Sequence, residues 1–200
     1  QIINLQAVPN TYSMDFDGSD DYVDCGSPIV TGSSAVTITA WAKSSAQDGT
    51  YQGVVSIGDD APRKSWWIGV MNTNEWGGGL YGENTSTGIA PDGNWHHLGL
   101  TYDGSASSGT ITIYLDGVAI STDTATPAVV EGTGGGTFIG RIADSTSYPF
   151  HGNIDEVAVW NTALDGDAIK AIYNGGNPTD LMVDNGAYDE YTDNLQGYWR

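Results

Sequence analysis

The 200-residue chain has a single cysteine, Cys25, and sets only six basic side chains against 25 acidic ones. One thiol cannot close an intrachain disulfide, so stability must come from a packed core or a bound metal. The basic residues are Lys43, Lys64, Lys170, Arg63, Arg141 and Arg200. At a formal net charge of −19 the surface repels phosphate backbones and anionic lipid, which excludes nucleic acid held by charge. No run of about eighteen apolar residues occurs, which excludes a membrane-inserted helix. The chain is not an acidic tail either, because hydrophobic residues make up 39% of it and include seven Trp. Its length fits one domain, or one domain with a short extension. A surface of Asp, Ser, Thr, Asn and Gly suits a protein outside the cell or on a virion, where salt screens like charges.

Apolar and polar residues alternate along most of the chain, and turn residues interrupt them about every eight to twelve positions. The alternation predicts strands over 11–17, 22–26, 36–43, 53–58, 65–72 and 79–82. Further strands are predicted over 95–103, 110–116, 118–123, 137–142 and 150–160. Asp116-Gly117 between two alternating runs is a hairpin signal, because both turn positions need positive φ. A Gly-rich joint at 132–136 separates two later runs. Many short strands with short links predict an all-β sandwich. Only 165–176 departs from this pattern: Ala168, Ile169, Ile172 and Tyr173 recur at helical spacing. Asp165 is placed to cap that helix, Asp167 suits its first turn, and Gly175 can end it. Beyond it, 177–194 is acidic and turn-rich, and 195–199 alternates as a last strand.

Several blocks stand in a telling order. Ser13-Met-Asp-Phe-Asp-Gly-Ser-Asp-Asp-Tyr-Val-Asp-Cys-Gly26 comes first, then Val36-Thr-Ile-Thr-Ala-Trp-Ala42 and Asn94-Trp-His-His-Leu-Gly-Leu-Thr-Tyr-Asp-Gly104. Ile111-Thr-Ile-Tyr-Leu-Asp-Gly-Val118, Phe138-Ile-Gly-Arg141 and Phe150-His-Gly-Asn-Ile-Asp-Glu-Val-Ala-Val-Trp160 follow. This ordered set resembles the laminin G-like domains of the concanavalin A-like lectin/glucanase superfamily. The resemblance implies a jelly-roll sandwich of two antiparallel sheets, one convex and one concave, with one short helix. It assigns residues 1–176 to the jelly-roll domain. Residues 177–200 form an extension that either docks as a strand or opens a further module.

Enzymes and binding modules share that fold, so activity has to be read from residues. The hydrolytic relatives carry a Glu-x-Asp-x-x-Glu or similar strand whose alternate carboxylates serve as nucleophile and acid/base. Glu75, Glu83, Glu131, Glu156 and Glu190 include no pair at that spacing. Asp155 and Glu156 are adjacent and, on a regular strand, face opposite sides, as do His96 and His97. No catalytic residue is assigned.

A hard cation such as calcium wants carboxylate and carbonyl oxygens, and Asp17-Gly18-Ser19-Asp20-Asp21 offers both at a turn. The resemblance implies a structural calcium held by Asp17, the Gly18 carbonyl and Asp155, with Asp20 a lesser candidate. The alternative is an acidic turn that is merely solvated. Sugars take flat aromatic faces together with polar groups. Trp76, placed in a loop by its neighbours, is the first such candidate. Trp67 follows, since Trp66 and Trp67 point to opposite faces, and then Tyr81, Arg141 and Tyr148. Trp41, Trp95 and Trp160 are read as packing. The expected function is non-enzymatic carbohydrate or glycoconjugate recognition, or adhesion, by an extracellular or virion-surface domain, with other virion or cell-surface proteins as further partners. The alternatives are a structural virion or spacer module without a sugar site, and an accessory domain of a glycosidase.

Overall fold

The computed structural model describes residues 11–200 apart from 33, 106–107, 127, 129, 131–134, 144–147 and 190. Glu131, Glu190 and most of the joint at 132–136 therefore lie outside the described residues. The strands are β1 (Met14–Asp17), β2 (Val23–Asp24), β3 (Val36–Lys43), β4 (Gln52–Gly58), β5 (Ser65–Val70), β6 (Trp76–Leu80) and β7 (Glu83–Ser86). They continue as β8 (Trp95–Tyr102), β9 (Gly109–Leu115), β10 (Val118–Ala125), β11 (Gly136–Ile139), β12 (His151–Trp160) and β13 (Leu195–Trp199). One helix, α1 (Gly166–Tyr173), lies between β12 and β13.

Two antiparallel sheets result, as expected of a jelly roll. One has seven strands in the order β1-β12-β3-β8-β9-β10, with β13 also paired to β12. The other has six, in the order β2-β11-β4-β5-β6-β7. Alternation decides which side chains fill the space between them. On β3, Val36, Ile38, Ala40 and Ala42 enter the main core, which takes Val55, Ile57, Trp66 and Ile68 from the six-stranded sheet. The opposite face of the seven-stranded sheet is covered by α1, through Ala168, Ile169 and Ile172 packed on Tyr114, Ala158 and Trp160.

Local chemistry explains the turns. Asp116 and Gly117 take φ of 51° and 75°, the doubly positive turn that matches strand twist. Asp165 accepts the Ala168 N–H at 2.8 Å, capping α1. The helix ends at Asn174, whose φ of 49° is left-handed, and Gly175 follows in the same region at φ 62°.

The largest departure is β6. The stretch Trp76-Gly-Gly-Gly79 reads as a loop but forms the interior of a sheet. A Cβ at Gly78 would stand 2.2 Å from the Trp67 carbonyl oxygen, so glycine is what lets β5 and β6 approach there. The alternation test fails because such residues carry no side chain to alternate.

Candidate functional site

The acidic turn after β1 gathers three carboxylates. Asp17, Asp20 and Asp21 place ligand oxygens within 4.8 Å of one another, and all three residues are exposed. The turn is tied by the Ser19 N–H to Asp17 Oδ1 at 2.7 Å and by the Asp17 N–H to Asp21 Oδ2 at 3.1 Å. Gly18, at φ 79°, lies against His151, where a Cβ would come within 2.8 Å of that side chain. Asp155 is not part of this group. Register sets Asp17 opposite His151, while Asp155 sits four residues along β12, opposite Trp41. At about 3.3 Å per residue, that separates the two by roughly 13 Å. Among the described residues Asp155 therefore stands apart from the carboxylates of the turn, whereas Asp21 stands with Asp17 and Asp20.

The aromatic candidates divide between the faces of the six-stranded sheet. Trp76 is fully buried, pointing into the main core from β6. Its place as an exposed loop ring is overturned by the glycine strand that carries it inward. Trp67 does face outward from β5, but it too is buried, donating Nε1–H to Asn84 Oδ1 at 2.9 Å. Tyr51 meets Trp67 edge-on at 5.6 Å and Tyr148 at 5.9 Å. Both tyrosines are half-buried, as is Tyr81. Burial raises the Tyr81 hydroxyl above its ordinary pKa, and the Asp60 carboxylate and the nearby Tyr148 and Tyr51 add to the shift. Arg141 is buried with its guanidinium over the rings of Tyr22 (3.7 Å) and Phe138 (4.0 Å). The segment carrying it lies on the sheet, because a Cβ at Gly53 would stand 2.2 Å from the Arg141 carbonyl carbon. The structure thus brings Trp67, Tyr81, Tyr148 and Arg141 to one outer face and leaves Trp76 out. Tyr51 was missed: it precedes β4 in a polar turn, and no alternation marks it.

The opposite sheet corrects two further readings. Trp95, expected to pack, is 39% exposed at the start of β8. Asp155 and Glu156 do not face opposite sides. The β12–β3 register shifts between Asp155 and Ala158, and Glu156 takes φ 49°. That bulge keeps both carboxylates on the helix-covered side. Glu156 is buried and accepts from the Tyr198 hydroxyl and from Arg200 Nε at 3.2 Å. His96 bonds Asp116 at 2.8 Å and Asp92 at 3.2 Å. His97, on the other face of β8, packs against Trp41 with ring centroids 5.4 Å apart and the planes tilted at 56°.

Among solved structures, a Bacteroides ovatus protein assigned provisionally as carbohydrate binding matches with a TM-score of 0.64 at 19% identity. The match covers 94% of this chain and 52% of that one, so the chain spans about half of that relative's length. The SAP-like pentraxin of Limulus polyphemus matches at TM-score 0.62 and 17% identity, over 83% of this chain and 84% of the other. The CBM40 of a Ruminococcus gnavus IT-sialidase, bound to α2,3-sialyllactose, matches at TM-score 0.61 and 16% identity, over 80% and 96%. At such identities the likeness is one of fold. No curated protein sequence matches the chain. A laminin G-type family profile covers residues 17–170, and the chain belongs to the concanavalin A-like lectin/glucanases superfamily.

Proposed function

We propose that the domain recognises carbohydrate without hydrolysing it, through the outer face of its six-stranded sheet. The observation that carries this reading is the group of half-buried tyrosines, Tyr51, Tyr81 and Tyr148, two of them in edge contact and seated on buried Trp67. Rings held this way offer apolar faces to sugar C–H groups at little cost in side-chain entropy. The turn before Tyr51 is held by Asp48, whose Oδ1 accepts from Thr50 Oγ1 at 2.7 Å and from Gln52 Nε2 at 3.3 Å. Fold relatives that bind sialyllactose support the same reading.

Calcium belongs to this proposal as a structural ion at the acidic turn. The three converging carboxylates of Asp17, Asp20 and Asp21 are a hard oxygen donor set and fit such an ion. Its role would be to offset repulsion within the turn. The setting that suits a −19 surface is outside the cell or on a virion, and cell-surface or virion proteins are the expected neighbours.

A glycan array with the wild type, Tyr148→Ala and Tyr51→Ala, with calcium and with chelator, tests the reading. Each variant is expected to weaken binding about ten-fold with little change in melting temperature. No glycan bound by the wild type in either condition would overturn it.

A further inference from the structure

On the opposite sheet lies a pocket of about 340 Å³ lined by Thr11, Tyr12, Ser13, Trp41, Trp95, Asp155, Gly176 and Pro178. We infer that this pocket takes a small organic ammonium group, held between the aromatic rings and the Asp155 carboxylate. It is separate from the sugar face proposed above.

The frame follows from strand register. Asp155 stands directly opposite Trp41 across the β12–β3 pair. Trp95 pairs with Lys43, two residues beyond Trp41, so the two indoles are diagonal neighbours on one face of the sheet. Diagonal positions are roughly 7–8 Å apart, within reach of aromatic side chains. Trp41 is a fixed wall: its ring stacks on Tyr173 of α1 at 5.7 Å and leans on His97. Trp95 and Tyr12, at 39% and 85% exposed, supply ring surface open to solvent. Asp155 is half-buried and its Oδ1 accepts the Glu156 N–H at 2.8 Å, which orients the carboxylate.

The chemistry of the lining is of one sign. Aromatic faces are negative, and among the described residues the charged group in the lining is a carboxylate. The neighbouring cation, Lys43, belongs to the adjacent groove with Asp15 and Asp17. His97, behind Trp41, is held neutral at pH 7 by its burial. Glu156 is already engaged by Arg200 and Tyr198. An anion would be repelled here. A neutral sugar would find ring faces, Asp155 and the hydroxyls of Thr11, Tyr12 and Ser13, but among the described lining residues no Arg, Lys, Asn or Gln. An alkylammonium satisfies both features, with C–H groups against the rings and its charge toward Asp155. The volume, near the lower end for ligand pockets, suits a head group of few atoms.

Two charged and neutral probe pairs test this by calorimetric or NMR titration at fixed ionic strength. The pairs are choline with 3,3-dimethylbutan-1-ol, and glucosamine with glucose. The charged member of at least one pair is expected to bind about ten-fold more tightly than its neutral counterpart. Preference confined to choline identifies a quaternary ammonium, and preference confined to glucosamine a primary amine carried on a sugar. Trp95→Ala and Asp155→Asn should each weaken that binding about ten-fold. The asparagine retains an acceptor for the Glu156 N–H, and Tyr12→Ala gives an independent third variant at an exposed position. Equal binding of charged and neutral probes overturns the inference. Binding that survives all three variants overturns it as well, since the attraction would then be to the acidic surface at large. Tyr148→Ala should leave these titrations unchanged, so failure of the sugar face and failure of this pocket are distinguishable.

Discussion

Behind Trp41, His97 occupies a place where a charge would find no solvent. It is about 1% exposed, flanked by the rings of Trp41 and Tyr173, and its Nδ1 has no hydrogen-bond partner among the described residues. Desolvation lowers its pKa from 6.5 to about 4, against a smaller opposing pull from the Asp116 carboxylate. The sign of the pH effect follows. Between pH 6.5 and 4 the unfolded chain takes up a proton that the folded one refuses, so stability falls as pH drops through that window. A shift from 6.5 to about 4 corresponds to about 3 kcal/mol when complete. Comparing wild type with His97→Gln isolates the term, because every other titrating group is common to both. The stability advantage of the wild type at pH 7 should shrink steadily toward pH 4. A constant difference would mean that His97 is not held neutral by burial. The same residue scale shows where sequence reading stops. That His96 and His97 face opposite ways was legible from alternation. That His96 bonds Asp116 and that His97 is sealed under a helix was not, because those partners come from the β9–β10 turn and α1, distant in the chain.

At the scale of elements, β12 organises the molecule. One of its edges pairs with β3, and the other is shared end to end by β1, at residues 151–154, and β13, at 157–160. Glu156 falls between those two partners, at the bulge, and the last residues of the chain meet it there. Burial and then the Glu156 carboxylate raise the pKa of the Tyr198 hydroxyl, which stays protonated and donates. Arg200, at the end of β13, supplies the positive charge, with its side chain 34% exposed against 3% for Glu156. Arg200→Ala strips a partner from a buried carboxylate and is expected to cost about 1–3 kcal/mol in thermal or denaturant unfolding. In a Glu156→Gln background the same change should cost little. A neutral Arg200→Ala in the wild type would reduce the contact to an ordinary surface pair. The strand itself was legible from the alternation of Leu195-Gln-Gly-Tyr-Trp199. Its partner was not, since the sequence leaves open which edge receives it. The bulge was invisible for a related reason: nothing in Asn153-Ile-Asp-Glu-Val157 signals that one residue will be added relative to β3. The error about Asp155 and Glu156 came from that single shift. Conversely, the sandwich, the Asp116-Gly117 hairpin and α1 were all readable, because periodicity, turn chemistry and capping act within a few residues.

For the whole molecule the governing fact is a net charge of −19, which opposes compaction through self-repulsion. Added salt screens that repulsion, so sodium chloride alone should raise the melting temperature. Calcium would do so as well, merely as a divalent counterion, and a simple chelator experiment would not separate screening from a site. The structure supplies the separation, because it places Asp17, Asp20 and Asp21 together and Asp155 elsewhere. At matched ionic strength, calcium at one hundred times its dissociation constant should add about 2.7 kcal/mol beyond sodium. For a chain of this length that is roughly 5–10 °C in melting temperature. Asp21→Asn should abolish the increment, although it removes one negative charge and so slightly relieves repulsion. Asp155→Asn, which removes the same charge from the middle of β12, should leave the increment intact. Screening predicts that the two variants respond alike, since each lowers the net charge by one. Equal calcium responses in both would show the acidic turn to be solvated rather than occupied.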